Sequence, residues 1–145
     1  MHQYKRPESV LVVVYTVCAQ VLLLQRQYPR HFWQSVTGSM HWDELNPRLT
    51  AQRELKEETG LNADGLSDCQ RFQQFLIQPP WQRRYPPDVR VNREHVFRLC
   101  LPHPPPITLN PQEHCAFIWL PRIEAAQRTA SWTNRDAILM CVPEG

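Results

Sequence analysis

Short apolar blocks separated by long polar stretches set the elements of this chain. The first block, Val10-Leu11-Val12-Val13-Val14, is unbroken and rich in β-branched residues. Such a run suits a strand covered on both faces better than one with a wet side. A strand is expected over 9–17 and a second over 20–27, centred on Val21-Leu22-Leu23-Leu24. The two turn near Cys18 to Gln20 and run antiparallel. A short strand over 32–37 stops at Gly38, and a polar loop follows over 39–47. Residues 48–59 have helical composition, with Gly60 where a C-terminal cap belongs. Strands over 68–78 and 92–101 flank a loop rich in Pro and Arg. A last strand over 114–120 precedes helices over 122–128 and 133–142. Strands and helices mixed in this order predict an α/β or α+β sandwich, one domain over residues 1–145.

Composition narrows the class. A chain of 145 residues suits one core, and its ordinary apolar content argues against disorder. Its 14 prolines cluster at Pro79-Pro80, at Pro86-Pro87 and over 102–106, marking rigid connections. A net charge of +2 does not make a nucleic-acid surface, and no nucleic-acid partner is expected. Arg83, Arg84 and Arg90 with Trp81 and Tyr85 do form a basic, aromatic loop, one able to cover a triphosphate. Five cysteines, odd in number and without a C-x-x-C pair, fit reduced thiols in a cytoplasmic protein. The basic start (His2, Lys5, Arg6) before an apolar run mimics a signal peptide or an anchor. Thr16 and Gln20 interrupt that run, so it is read as two core strands and no membrane partner is expected.

The densest chemistry lies in Arg53-Glu54-Leu55-Lys56-Glu57-Glu58-Thr59-Gly60. On a helix Glu54, Glu57 and Glu58 share one face at i, i+3 and i+4, at a cost of roughly 0.2–0.5 kcal/mol per like-charged pair. A solvated acidic face is the plain reading of such a run. A hard divalent cation turns the cost into a gain, because Mg²⁺ prefers carboxylate oxygens and retained waters. Arg53, four residues before Glu57, is expected to pair with it.

The wider segment runs from Gly38 through Glu44 to Arg53 and on to Leu61. It resembles the Nudix box, G-x5-E-x7-R-E-U-x-E-E-x-G-U with U a bulky aliphatic residue. Gly38, Glu44, Arg53, Glu54, Leu55, Glu57, Glu58, Gly60 and Leu61 fill its positions. Eight residues rather than seven separate Glu44 from Arg53, and the extra one is placed near Asn46-Pro47. No Walker-type loop or Ser/His/Asp pattern competes. The resemblance implies an α/β/α sandwich around a mixed sheet and a hydrolase of phosphoanhydrides. It implies Mg²⁺, with Mn²⁺ as a possible substitute, held by Glu54, Glu57, Glu58 and Glu113. Arg53 would support these, and Glu113 would be a metal ligand or general base. Gly38 would let the loop pass close to the helix.

Beyond the box, Tyr4-Lys5-Arg6-Pro7, Leu24-Gln25-Arg26, Phe32 to Ser39, Asp68 to Arg71, Glu113-His114, Trp119-Leu120 and Ser131-Trp132 resemble one bacterial Nudix subgroup. Its members act on dihydroneopterin triphosphate in folate biosynthesis and accept dATP. The resemblance implies phosphate contacts from Lys5 and Arg26 and a substrate-lining Thr37. Phe75, Leu76, Ile77 and Gln78 would flank the substrate, and Ser131 would be a late polar contact. Plain alternatives are surface cations, β propensity at Thr37 and a loop acid at Glu113. Trp33 and Trp132 are candidates for ring stacking or for packing. The partner is thus a pterin or nucleoside triphosphate, and the oligomeric state stays open. The alternatives are a general or sanitising nucleoside triphosphate diphosphatase and a silent nucleotide-binding module, the latter disfavoured by the intact glutamates.

Overall fold

The computed structural model describes residues 4–144; His2 of the basic start lies outside them. The unbroken apolar run becomes the spine of the sheet. In β1 (Glu8–Thr16) every residue after Glu8 is buried. The chain turns through 17–19, where Ala19 takes a φ of 60° and donates its N–H to the Thr16 carbonyl at 2.8 Å. It returns as β2 (Gln20–Arg26), antiparallel and paired to β1 at Tyr15↔Val21. Beyond that pair the strands take different neighbours. β1 binds β4 (Val36–Ser39) antiparallel and β6 (Val91–Leu101) parallel. β2 binds β3 (Trp33–Gln34) and β7 (His114–Pro121), both antiparallel. β5 (Ser67–Leu76) lies antiparallel against β6 and makes the edge. The result is a mixed sheet in the order β3-β2-β1-β6-β5, branched at β4 and β7.

Strand alternation sends neighbouring residues of β1 to opposite cores, which explains its continuous apolar sequence. Val10, Val12 and Val14 join Leu22, Leu24, Phe97 and Leu99 under α1 (Pro47–Thr59), which contributes Ala51 and Leu55. Leu11, Val13 and Tyr15 join Val21, Leu23 and Val96 on the other side. There they meet α3 (Arg122–Arg128) and α4 (Trp132–Cys141) through Ala125, Ala126, Ala137, Ile138 and Cys141. This is the expected α/β/α sandwich around a mixed sheet. Among the described residues no helix is long and apolar enough to cross a membrane.

Several boundaries differ from the expectations. The strand expected over 32–37 is two strands on different partners, because Ser35 leaves the ladder and gives its N–H to Asn134 Oδ1 of α4 at 2.8 Å. The polar loop starts after Ser39, which still belongs to β4. The strand expected to reach Gln78 ends at Leu76, although the Ile77 N–H still reaches the Arg90 carbonyl at 2.8 Å. The connection after it is not all loop: Pro79 and Pro80 open a one-turn helix, α2 (Pro79–Gln82), as prolines can in a first turn.

Helix α1 is defined at both ends. Asn46 caps it by accepting the Leu49 N–H at 3.2 Å, Pro47 fills the first position, and Gly60 closes it at φ 78°. The start lies one residue before the expected one. Replacing Asn46 with Ala is expected to cost about 1 kcal/mol, and Ser to recover most of it. Denaturant titration checks this as a shift in midpoint at constant slope.

Candidate active site

The acidic face of α1 is sorted by depth. Glu58 is 1% exposed and Glu54 is also buried, whereas the Glu57 side chain keeps 48% of its surface. Arg53 does not choose Glu57, whose carboxylate lies 3.5 Å away. Its short contacts are to Glu44 Oε1 at 2.9 Å, Glu54 Oε1 at 2.5 Å and the Ser39 carbonyl at 3.1 Å. The expected Arg53–Glu57 pair is therefore secondary, because the guanidinium points inward to β4 and the loop. Glu44 also accepts from the His41 N–H at 2.7 Å and the Thr50 hydroxyl at 2.8 Å. Hydrogen bonds from Arg53 lead the forces that hold its carboxyl at about 2. With eight residues before Arg53, Glu44 is still bonded into the site, and the helix begins at the Asn46 cap.

Gly38 is a steric requirement. A Cβ there would collide with the Glu54 carboxyl group, so the absent side chain is the space the carboxylate occupies. Strand alternation aims position 38 at α1 and Thr37 at the opposite face, where it pairs with Leu11.

Glu58 is the most strained group electrostatically. Burial first, then the Glu54 and Glu113 carboxyls, push its own carboxyl well above the ordinary range, while a contact from the Thr37 backbone pulls the other way. Its Oε1 is buried without a hydrogen-bond partner. His114 Nε2 lies 3.8 Å from that oxygen. That imidazole is itself buried, unpartnered at both nitrogens, and pushed down to about 4 by burial and by Arg26. It is neutral near pH 7 and adds no positive charge beside Glu58.

Glu113 reaches the same region from the turn before β7, where its backbone carbonyl accepts the Gln27 N–H at 2.9 Å. Burial, then Glu54 and Glu57, raise its carboxyl. Three cations face these acids. Lys5 is lowered by burial and by Arg84 and Arg26, against Glu54 and Glu113. Arg26, at the branched end of β2, is lowered by burial while Glu58 and Glu113 oppose the shift. Arg84 is held close by the bond from the Lys5 N–H to its carbonyl at 2.7 Å. The sequence showed Arg84 only as part of a basic loop, and His114 only beside Glu113.

A buried carboxylate oxygen without a partner, ringed by two more carboxyls, fits a hard cation with oxygen ligands. Among the described residues no three acidic, histidine or cysteine side chains stand as a finished cage.

The other expected residues lie on the opposite face or at its margin. Thr37 accepts from Gln34 Nε2 at 3.2 Å. Phe75 pairs with Asn92 and Leu76 with Val91; Ile77 is buried, and Gln78 is exposed at the start of α2. The Ser131 hydroxyl caps α4, accepting from the Asn134 N–H at 3.3 Å and its Nδ2 at 2.8 Å. Trp33 packs against the core under α3 and α4, and Trp132 is half-exposed on α4.

A mixed sheet between helical layers, with an acidic helix clamped by one arginine against a glycine-bearing strand, is the arrangement of Nudix hydrolases. Residues 5–140 match the NUDIX domain, and the chain belongs to that family, whose members generally use divalent metal cations. It is 45% identical over 140 residues to the dihydroneopterin triphosphate diphosphatase of Escherichia coli (strain K12), covering 93% of this chain and 91% of that protein. The enzyme of the same name from Haemophilus influenzae is 42% identical over 143 residues, covering 95% and 89%. The solved structure of the E. coli dihydroneopterin triphosphate pyrophosphohydrolase superposes with a TM-score of 0.88 at 43% identity, covering 97% and 98%. A Nudix structure from Listeria monocytogenes shares the fold, with a TM-score of 0.75 at 24% identity.

Gly38→Ala tests the steric reading. The protein is expected to stay folded, because the clash is with a side-chain end that can swing away. Turnover is expected to fall by about 10²-fold, the scale of displacing one charged group beside the reacting atoms. Melting temperature and steady-state kinetics on the same preparation check both halves.

Proposed function

We propose that this protein hydrolyses dihydroneopterin triphosphate to dihydroneopterin monophosphate and pyrophosphate, in the cytoplasm and in the service of folate biosynthesis. In this reading dATP is a second substrate and Mg²⁺ the working cation, with Mn²⁺ able to replace it. The observation that carries the reading is the meeting of Glu54, Glu58 and Glu113 with Lys5, Arg26 and Arg84 at the branched end of the sheet. The similarity to named diphosphatases over nearly the whole chain supports the substrate.

Glu54, Glu58 and Glu113 would hold the cation, with Glu57 at the wet edge of the set. The bound cation supplies charge neutralisation on the diphosphate and eases deprotonation of water. The chain's own residues do the rest. Arg53 fixes the Glu54 carboxylate, so its rotamer is set before substrate arrives. Lys5 and Arg26 make charge-assisted hydrogen bonds to the phosphates, with Arg84 closing over them from the Pro- and Arg-rich connection. Phosphoryl transfer asks mainly for such positioning and charge stabilisation. Glu113, whose carboxyl is raised by burial and by Glu54 and Glu57, would be the general base in place of a metal ligand if it takes the proton of the attacking water. Thr37, the Phe75 to Gln78 segment and Ser131 would line the ring end of the substrate.

Pyrophosphate release with Mg²⁺ tests the reading, comparing dihydroneopterin triphosphate with dATP and a panel of nucleoside triphosphates. A clear preference for the pterin is expected, and a far higher specificity constant for a nucleotide would discard the pathway while keeping the reaction. Glu58→Gln gives a sharper result. It is expected to lower kcat by about 10²-fold or more. In EDTA the same change should raise the melting temperature, because it removes the cost of burying an acid whose carboxyl is pushed up by its surroundings. A variant both active and no more stable would sink the metal assignment.

A further inference from the structure

A second buried carboxylate lies away from the acidic helix. Glu94 of β6 is 4% exposed and faces the α3–α4 side of the sheet. It belongs to a polar row running across four strands. Gln73 of β5 is its antiparallel partner, Ser9 of β1 its parallel one, and Ser39 of β4 pairs with Ser9. Asn92, two residues before Glu94 and on the same face, donates through Nδ2 to the Ser9 hydroxyl at 2.8 Å. Its Oδ1 is buried and has no partner. The cover over Glu94 is thin. Gln73 Nε2 donates to Glu94 Oε1 at 3.3 Å and to the Thr133 carbonyl at 3.1 Å, and the Thr133 side chain is its other partner. Gln73 and Thr133 hold Glu94 from the β5 and α4 sides, and beside it the Asn92 Oδ1 is an acceptor without a donor.

The setting says which donors. Phe75 pairs with Asn92 beside this row, Thr37 follows Ser39 by one alternation on β4, and Ser131 and Thr133 form the α4 rim. These are the positions that would line the ring of the substrate, on the reading proposed above. We propose that Glu94 reads the hydrogen-bonding edge of that ring, its carboxylate accepting the adjacent ring N–H and exocyclic amine of a pterin or guanine, with Asn92 Oδ1 as a further acceptor. Gln73 occupies the carboxylate until the ring displaces it. When protonated, Glu94 offers one donor and one acceptor, the complement of adenine N1 and its 6-amino group.

The protonation state is poised for this. Burial raises the Glu94 carboxyl to about 7 against the hydrogen bonds from Gln73 and Thr133. The charged groups on the packed elements are Arg71 on β5, Arg98 on β6 itself and the Arg135–Asp136 pair on α4, and none of them is among the causes of the Glu94 shift. Ser9 faces it from β1, and the Glu8–His95 pair and Arg93 point to the opposite face. Above about pH 7 the ionised form favours the donor edge, and below it the protonated form favours adenine.

The test compares dGTP with dATP in the presence of Mg²⁺. In the unaltered protein the ratio of their kcat/KM values is expected to rise roughly tenfold or more from about pH 6 to about pH 8, as one group of pKa near 7 titrates. Effects on the catalytic groups cancel in that ratio. Glu94→Gln presents one donor and one acceptor at every pH. The variant is expected to lower the ratio roughly tenfold at the higher pH and to flatten its pH dependence. A flat ratio in the unaltered protein, or equal losses on both nucleotides in the variant, would overturn the assignment as a purely structural role predicts. If turnover is absent, the affinities of the two α,β-methylene analogues give the same ratio. Dihydroneopterin triphosphate should follow dGTP; failure on the pterin alone, with the ratio behaving as expected, counts against the proposed pathway and not against Glu94.

Discussion

Arg53 is the joint on which the site depends. One guanidinium joins helix, loop and strand by bonding Glu54 on α1, Glu44 in the loop and the Ser39 carbonyl on β4. Without it two carboxylates would face each other over a glycine with no counter-charge between them. The fork geometry of arginine is what lets one cation serve both acids, and lysine could not. The clamp also explains the tolerance for an extra residue. Glu44 needs only to reach Arg53, and the Asn46 cap starts the helix wherever the loop delivers the chain.

The clamp holds Glu54 in place, and the burial of Glu58 then follows as a cost the fold carries. A buried carboxyl with an unpartnered oxygen, next to a neutral histidine, opposes folding. The two apolar cores on either side of β1 supply the stability against which it stands. Strain of this kind concentrates at sites that bind something, and here the missing component is positive charge.

Local features were legible in the sequence, and remote ones were not. The acid spacing on α1, its cap at Gly60 and the two-sided burial of β1 each follow from a few neighbouring residues. The break at Ser35 does not, because its cause is Asn134, 99 residues further along the chain. The shorter partners of Arg53 lay beyond the local sequence for a related reason. Helical spacing offered Glu57, but the tertiary position of β4 turned the side chain inward. Glu94 reads in sequence as one more charge in the Arg93-Glu94-His95 run. Only the pairing of β6 with β1 and β5, and the seat of α4, shows that it is buried and its neighbours are not.

The branched sheet divides the work between its two faces. β4 is where they meet: alternation sends Gly38 to the acidic helix and Thr37 and Ser39 to the polar row, within three consecutive residues. On the reading proposed above, a substrate with its phosphates at Lys5, Arg26 and the glutamates would have its ring directed over β4 to the α4 side. The same strand that leaves room for Glu54 would then line the ring, so a shift of β4 would move both ends of the substrate together. Specificity for the ring and alignment of the phosphates are then one geometric problem. That is a physical reason for the site to be built on a strand locked between β1 and Arg53 instead of on a free loop.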